Sequence, residues 1–248
     1  MTQEIGLYRR EMLLKSFPDP EQRSWAIKLI WCVYILDRRW AVGTGLPYAL
    51  RQSDIDLDLP EPVSLLLLWF YHFTKDAKDD TSPYLERLIA YGRISSKVWK
   101  AVNTSGSVSA NTRKEESDYL DFQIQQWLQA IPPELQLLHP KADDNAIQQP
   151  RSLHRLRVLL YVRANHMRIL VHRHNLLSAT NIAENVSDAR AVVEIAKDTI
   201  QVLAHLNRTS NIYHTQQVCF NYFLVSALAA LFLAVCHGPT YFSEFCRT

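Results

Sequence analysis

Apolar residues return at helical spacing along almost the whole chain, and prolines and glycines divide this pattern into separate segments. In the segment SFPDPEQRSWAIKLIWCVYILDRRW, Asp19 stands at the N-cap position, Pro20 at the first helical position and Gln22 at the capping-box position. Gly43, Gly45 and Pro47 follow where this helix should stop. Strand alternation is convincing nowhere except in one short acidic stretch. The sequence therefore predicts an all-α fold, an irregular multi-helix bundle.

Further segments carry the same helical pattern. They cover residues 63–73, 82–102, 118–131, 152–177, 187–208 and 218–236. The intervening stretch 103–117 is rich in Ser, Asn and Thr, which favour turns, so we expect a flexible loop there. We find no internal repeat, and we expect one domain over residues 1–248.

Composition excludes several classes of protein. An apolar share of 48% can form a sizeable core, and 27 basic against 25 acidic residues give a net charge of only +2. This balance produces no global field that would indicate a nucleic acid or an anionic membrane as partner. The four cysteines lack C-x-x-C spacing, and the helix assignment buries at least Cys32, Cys219 and Cys236, as expected in a reducing compartment.

The stretch VCFNYFLVSALAALFLAVC is long enough to cross a bilayer, which takes roughly 20 apolar residues. It contains Asn221 and Ser226 and has no Lys or Arg in either immediate flank to set an orientation. We therefore favour a buried core helix over a membrane span and expect no membrane partner. The N-terminus alternates charged and apolar residues, unlike a secretory signal, which predicts an intracellular protein.

The acidic stretch RQSDIDLDLP offers a candidate metal site in Asp54, Asp56 and Asp58. A calcium loop that starts at Asp54 needs Gly at its sixth position and Glu at its twelfth, but Leu59 and Leu65 stand there. The alternation instead predicts an extended edge segment with its carboxylates in solvent. Three solvated carboxylates also lack the apolar cleft that acid and base catalysis requires.

Two other candidate sites lie on the helix predicted over residues 152–177. His166, His172 and His174 are spaced six, two and eight apart, so they do not share a helix face as a metal site would require. Six arginines lie in residues 151–173, but at 100 degrees per residue they scatter around the helix. Solvated or packed histidines, and arginines that bind no nucleic acid, are the favoured interpretations.

The order of features around the acidic stretch closely resembles the middle homology region of fungal zinc-cluster transcription factors. In that region a helix that ends in Asp-Arg is followed by Gly-Arg-Pro and an acidic segment that closes in Leu-Pro. The chain departs from the pattern at Leu46, where the family usually has Arg. The similarity continues in EIGLYRRE, WLQAIPPEL and LYVRANHMRILVHRHNLL, and so covers nearly the whole chain. The matching signature residues, to which the resemblance gives a structural role, are Asp37, Arg38, Gly45, Pro47, Asp54, Asp56 and Pro60.

The resemblance implies a regulatory, non-enzymatic domain of a nuclear transcription factor that modulates RNA polymerase II transcription. Its expected partners are a small-molecule effector, the transcription machinery or a second copy of itself. The family's six-cysteine zinc cluster has no match here, so we expect no zinc in this chain, no sequence-specific DNA binding and a bundle incomplete at its N-terminal end. The alternatives are an α-helical enzyme, and a scaffold or membrane-associated helical protein with no transcription role.

One arginine is predicted to be buried. On the helix over 152–177, Arg163 falls within the arc formed by the apolar side chains. A buried guanidinium keeps its proton and needs a carboxylate or several carbonyls, and we choose Asp37 as partner, with Glu86 or Glu134 as alternatives. If the helix instead bends near Asn165, Arg163 reaches solvent along its stem.

Overall fold

The structure, a computed structural model, describes residues 6–51, 53, 55, 82–104, 110–137 and 150–243. These residues contain nine α-helices and two short 3-10 helices, which confirms the predicted all-α fold. The α-helices are α1 (Arg10–Ser16), α2 (Pro20–Thr44), α3 (Ser82–Thr104), α4 (Ala110–Gln129), α5 (Arg151–His172), α6 (Ala179–Glu184), α7 (Val186–Thr209), α8 (Ile212–Thr215) and α9 (Gln217–His237). The 3-10 helices are Pro133–Leu135 and Arg173–Leu176.

The chain groups into two compact units, residues 1–100 and residues 101–248, whereas the sequence predicted one domain. The division falls near the C-terminal end of α3, so the last residues of this helix belong to the second unit.

The first unit is built on α2, which begins at the predicted N-cap, continues through Gly43 and ends just before Gly45. The Asp19 side chain accepts a hydrogen bond from the Gln22 backbone amide at 2.9 Å, and Pro20 occupies the first turn. At the other end Gly45 adopts a left-handed conformation with φ of 74°, and its amide donates to the Ala41 carbonyl. The core beside this helix consists of Trp31, Tyr34, Leu50, Leu85 and Ile89.

The second unit is built around α5, which contacts α4, α7 and α9. The long apolar face of α7 packs against both α5 and α9, and the small residues Ala227, Ala230 and Ala234 bring α9 close. Because α5 is covered from several sides, most of its side chains are buried. The two 3-10 helices also contact α5, so it has neighbours near both of its ends.

Helix α4 starts earlier than the sequence predicted. We expected a loop over 103–117, but α3 continues to Thr104 and α4 already begins at Ala110. Lys114 forms ion pairs with Asp188 and, one turn along α4, with Asp118. The buried Ser117 donates to the Val171 carbonyl at 3.4 Å. These contacts with α5 and α7 outweigh the turn preference of the Ser and Asn residues.

Helix α9 is the one helix among the described residues that is long and apolar enough to cross a membrane. We predicted a buried core helix, but only one of its faces is buried, with Phe220 and Phe223 among its residues. The opposite face exposes Val218, Val225 and Phe232. The helix packs at the margin of the unit, where α5 and α7 cover a single side.

The cysteine prediction is wrong at one position. Cys32 and Cys219 are half-buried, whereas Cys236 is exposed on α9. Cys236 lies off the face that packs on α7, so the apolar composition of the helix does not bury it.

Candidate effector cavities and the signature cluster

The first site to consider is the Asp-Arg signature at the end of α2. One carboxylate oxygen of Asp37 accepts the Ala49 amide at 2.9 Å. The other oxygen accepts the Leu50 amide at 3.0 Å and an Nη of Arg38 at 2.7 Å. A single side chain thereby fixes the chain that returns after the Gly45 turn against the helix that it has just left. This arrangement gives Asp37 a structural role.

Arg38 is almost fully buried, and aromatic rings hold its guanidinium on two sides. Its Cζ lies 4.2 Å from the ring centroid of Tyr34 and 4.1 Å from that of Tyr48, distances typical of cation–π contacts. Its Nε donates to the Ser96 hydroxyl at 2.5 Å, which in turn donates to the Gly92 carbonyl. The guanidinium therefore joins α2, the segment after the turn and α3.

Gly92 lets these elements approach closely. A Cβ at this position would lie 3.0 Å from the Tyr34 ring, closer than side chains normally come. We therefore find that the described part of the signature works as a packed unit, with its charged groups directed inward.

The other signature residues divide into described and undescribed ones. Gly45 supplies the left-handed turn, and Pro47 lies in the segment that Asp37 holds. Leu46, which replaces the family's usual Arg, is 57% exposed, so its side chain takes no large part in the core. The remaining three, Asp54, Asp56 and Pro60, lie outside the described residues.

Arg163 is buried, with only 8% of its surface exposed. Helix α5 continues without a break through Asn165 to His172, so Arg163 does not reach solvent by a bend of the helix. Its predicted pairing with Asp37 stays a prediction, because Asp37 belongs to the first unit and Arg163 to the second.

Two half-buried acids hold α5 to its neighbours. Asp121 on α4 accepts hydrogen bonds from Arg168 at 2.6 and 3.3 Å. Burial raises the pKa of this carboxyl, but the nearby His172, 3.8 Å away, and the hydrogen bonds from Arg168 outweigh burial and hold the pKa well below its usual range. Asp198 on α7 accepts hydrogen bonds from Tyr161 at 2.8 Å and Asn165 at 2.9 Å. Burial, with the Asp198 contact, raises the pKa of the Tyr161 hydroxyl well above its usual range.

The three histidines considered for a metal site contact different groups: His172 lies near Asp121, His174 near the Val171 carbonyl, and His166 among aromatic rings. His166 is fully buried, with ring centroids 4.8 Å from Tyr222 and 5.7 Å from Phe223. Burial, and secondarily Arg173, lowers the pKa of His166 to about 4. Within the part of the chain that the structure describes, no group of three His, Cys, Asp or Glu residues is placed to bind a metal ion.

Two cavities in the second unit are candidates for effector binding. The first, the apolar cavity, measures about 320 Å³ and lies beside the Pro132-Pro133 segment, between the end of α4 and the first half of α5. Its walls are mostly leucine, isoleucine and the Tyr161 ring. Arg157 adds a guanidinium whose Nε donates to the Glu134 carbonyl at 2.7 Å.

The second, the cationic cavity, measures about 260 Å³ and lies at the other end of α5. Its polar lining consists of Arg113 and Glu116 on α4 and of Arg173 and His174 just after α5. Alanine, valine and leucine side chains form the remaining walls, apart from Ser117.

The sequence predicted neither cavity. The segments WLQAIPPEL and LYVRANHMRILVHRHNLL, which carry the family resemblance, supply part of both linings. Arg113 lies in the stretch predicted as a loop, so nothing in the sequence indicated that it faces a site; the structure places it in the first turns of α4. No sequence signal could have joined Arg113 to Arg173, since their proximity depends on how α4 packs on α5.

Comparison with known proteins agrees with a role in transcriptional regulation. Two uncharacterized transcriptional regulatory proteins of Schizosaccharomyces pombe are similar to the chain. One is 25% identical over 182 residues, which cover 71% of this chain and 22% of that protein. The other is 24% identical over 211 residues, which cover 83% of this chain and 24% of that protein. An uncharacterized transcriptional regulatory protein of Saccharomyces cerevisiae is 32% identical over 56 residues, covering 22% of this chain and 4% of that protein. The chain thus spans about a quarter of the length of the two Schizosaccharomyces relatives. No solved structure matches the chain.

A family profile gives the assignment. The profile of the fungal specific transcription factor domain matches residues 1–138, which is more than half of the chain. This match includes α1 to α4, and with them the cluster formed by Asp37 and Arg38. The chain therefore belongs to the family of the fungal specific transcription factor domain.

Proposed function

We propose that this chain is the non-enzymatic regulatory part of a nuclear transcription factor, and that it modulates RNA polymerase II transcription by binding a small effector or a protein partner. The match of residues 1–138 to the fungal specific transcription factor domain carries this proposal. The three relatives named above are transcriptional regulatory proteins, which supports the same role.

The chemistry of the described polar clusters supports a binding role. Asp37, Asp121 and Asp198 each accept hydrogen bonds from neighbouring protein groups, and those bonds join one element to another. A general base must instead face a space where substrate can bind. The two cavities of the second unit are concave surfaces open to an effector, and arginine and apolar residues dominate their linings.

A tethering experiment tests the proposal. The 248-residue chain, fused to a bacterial DNA-binding domain, is directed to operator sites upstream of a reporter gene in a fungal host. We expect the fusion to change transcription relative to the DNA-binding domain alone, and to lie in the nucleus. A fusion that carries Asp37→Ala should lose the effect, because the substitution frees the segment after α2.

A second arm examines DNA directly. In a mobility-shift titration at physiological salt, the chain by itself should show no sequence-selective binding, since the proposal assigns DNA recognition to a separate zinc cluster. An unchanged reporter with a folded, nuclear fusion, or tight sequence-selective binding by the chain alone, would contradict the proposed function.

A further inference from the structure

The cationic cavity concentrates positive charge at one place in the second unit. Arg113 on α4 and Arg173 on the 3-10 helix that follows α5 both line this cavity, so two different elements contribute a positively charged residue to the same lining; Arg113 is half-buried and Arg173 is exposed. Glu116 is the single acidic residue among the described lining residues, and it is exposed at the edge. The lining thus carries a net positive charge even when His174 is neutral.

His174 adds an imidazole whose protonation depends on the charged groups around the cavity. Its Nδ1 lies 3.1 Å from the Val171 carbonyl oxygen. Because a carbonyl accepts hydrogen bonds, Nδ1 is the donor, and in the neutral ring Nε2 is the acceptor. Burial lowers the pKa of His174, the nearby His172 and Arg113 lower it further, and the Val171 contact and Asp188 act in the opposite direction. At neutral pH the ring is therefore uncharged, and an added negative charge beside it would raise its pKa.

The remaining walls and the volume limit the size of a ligand. Leu120, Leu170 and Val171 line the space with apolar groups, so a ligand gains from a short hydrocarbon body as well as from its charge. The volume of about 260 Å³ lies just below the range of roughly 300 to 1,000 Å³ that small-molecule sites usually have, so the cavity suits a small ligand.

We infer that the cationic cavity is a binding site for a small organic anion, a compound with one or two carboxylate or phosphate groups on a short apolar body. Arginine suits this task because its planar fork of N–H donors pairs with both oxygens of such a group. The inference rests on the proposed function only in making the anion an effector of transcription. The binding itself can be measured on the purified chain.

Three probes distinguish the features that the cavity recognises. Succinate has two carboxylates on a two-carbon body, succinamide has nearly the same shape without charge, and inorganic phosphate has charge without the apolar body. Calorimetric titration of the 248-residue chain should give succinate a Kd below about 1 mM, with weaker binding of phosphate and no detectable binding of succinamide. Stronger binding of phosphate than of succinate would assign the site to phosphate-bearing ligands, which the inference also includes.

Substitutions of opposite sign identify the site. Arg113→Gln and Arg173→Gln should each weaken succinate binding about tenfold, because each removes charged donors to a carboxylate. Glu116→Gln should strengthen it about twofold to fivefold, since it removes the opposing charge at an exposed position. Arg208→Gln serves as the matched control, because Arg208 is an exposed arginine of the same unit that lies outside the cavity.

Nuclear magnetic resonance gives a second readout that does not depend on affinity. Saturating succinate should raise the pKa of the imidazole whose resonance disappears in His174→Gln, because the carboxylates favour the protonated ring. The other histidine resonances should move little. The same pKa measurement can be made on Glu116→Gln, because Glu116 is exposed and its substitution should leave the fold intact.

The outcomes separate the inference from the proposed function. Absence of binding by all three probes, equal binding of succinate and succinamide, or equal effects of Arg173→Gln and Arg208→Gln would overturn the anion site. Binding that weakens in the two cavity variants and strengthens in Glu116→Gln would establish it. If the site binds succinate but the cavity variants do not change the reporter signal, the anion site is correct and its role in transcription is wrong. If the tethered chain changes the reporter signal but no anion binds, the proposed function is supported and the anion site is wrong.

Discussion

The contacts of Asp37 allow a sharp prediction about the stability of the first unit. Asp37→Ala removes the acceptor of two backbone amides, those of Ala49 and Leu50, and the charged partner of Arg38. Only 2% of the Arg38 side chain is exposed, so its guanidinium keeps its charge but cannot recover the lost interaction from water.

The magnitude follows from what is left behind. Breaking a buried ion pair by removing one partner costs about 3 to 5 kcal/mol, because the other charge stays buried and uncompensated. The rings of Tyr34 and Tyr48 and the Ser96 hydroxyl still contact Arg38, which places our expectation at the lower end of this range. We therefore expect Asp37→Ala to lower the free energy of unfolding by about 3 kcal/mol.

Denaturant unfolding followed by tryptophan fluorescence suits this test, because Trp127 is the one tryptophan beyond residue 100. The signal therefore reports mainly on the first unit. Asp37→Asn keeps the shape of the side chain but places an amide donor where the carboxylate accepted hydrogen bonds, so it should also destabilise, by about 1 to 3 kcal/mol. Glu21→Gln, at an exposed site on the same helix, is the control and should change stability by less than about 0.5 kcal/mol.

A double-mutant cycle with Arg38→Ala decides whether the two residues act together. The double variant should be more stable than the sum of the two single losses predicts, since removal of both charges leaves no uncompensated one. Additive effects, or a change of less than about 0.5 kcal/mol for Asp37→Ala, would refute the view that this pair fixes the turn.

The remaining predictions concern the second unit. Burial lowers the pKa of His166 to about 4, so below about pH 6.5 the unfolded chain binds a proton that the native chain does not bind. This group should lower the stability by up to about 3 kcal/mol as pH drops from about 6.5 towards 4, and His166→Phe should remove this contribution in pH-dependent melts, while the contribution of His174 remains. Asp121→Asn should cost about 1.5 to 3 kcal/mol in denaturant melts by weakening the Arg168 pair, whereas Asp118→Asn, at an exposed ion pair on the same helix, should cost less than about 0.5. Arg163→Ala should lower the free energy of unfolding by about 3 to 5 kcal/mol if its partner is a buried carboxylate, and a loss below about 0.5 would reject such a pair. Phe232→Glu, on the exposed face of α9, should leave the unfolding free energy within about 0.5 kcal/mol of the original and raise solubility in sedimentation experiments.

Features with a local physical cause could be predicted from the sequence. The start of α2 depends on the side chain of Asp19 and the ring of Pro20, and its end depends on the freedom of Gly45 to adopt a positive φ. Each of these causes acts within a few residues, so the sequence shows them directly. The burial of Arg163 could also be predicted, because it follows from helical periodicity and α5 is a regular helix without a break.

Features that depend on distant contacts could not be predicted in this way. The early start of α4 depends on Asp188, 74 residues away from Lys114, and the partial exposure of α9 depends on which sides α5 and α7 cover. The apolar composition of α9 is the same on both faces, so it contains no information on which face is exposed. The cationic cavity likewise needs Arg113 and Arg173 to converge from separate elements.

The two units show why a family signature alone does not identify an effector. In the first unit Asp37 and Arg38 interact with backbone amides, tyrosine rings and each other, so their described contacts determine the path of the chain. In the second unit Arg113 and Arg173 line a cavity, and neither belongs to the signature. Two proteins can therefore share the signature and its fold while they carry different residues at these two positions. If so, ligand choice in this family should follow the residues that correspond to Arg113 and Arg173, and exchange of these residues between relatives should change which anion binds without changing the stability of the first unit.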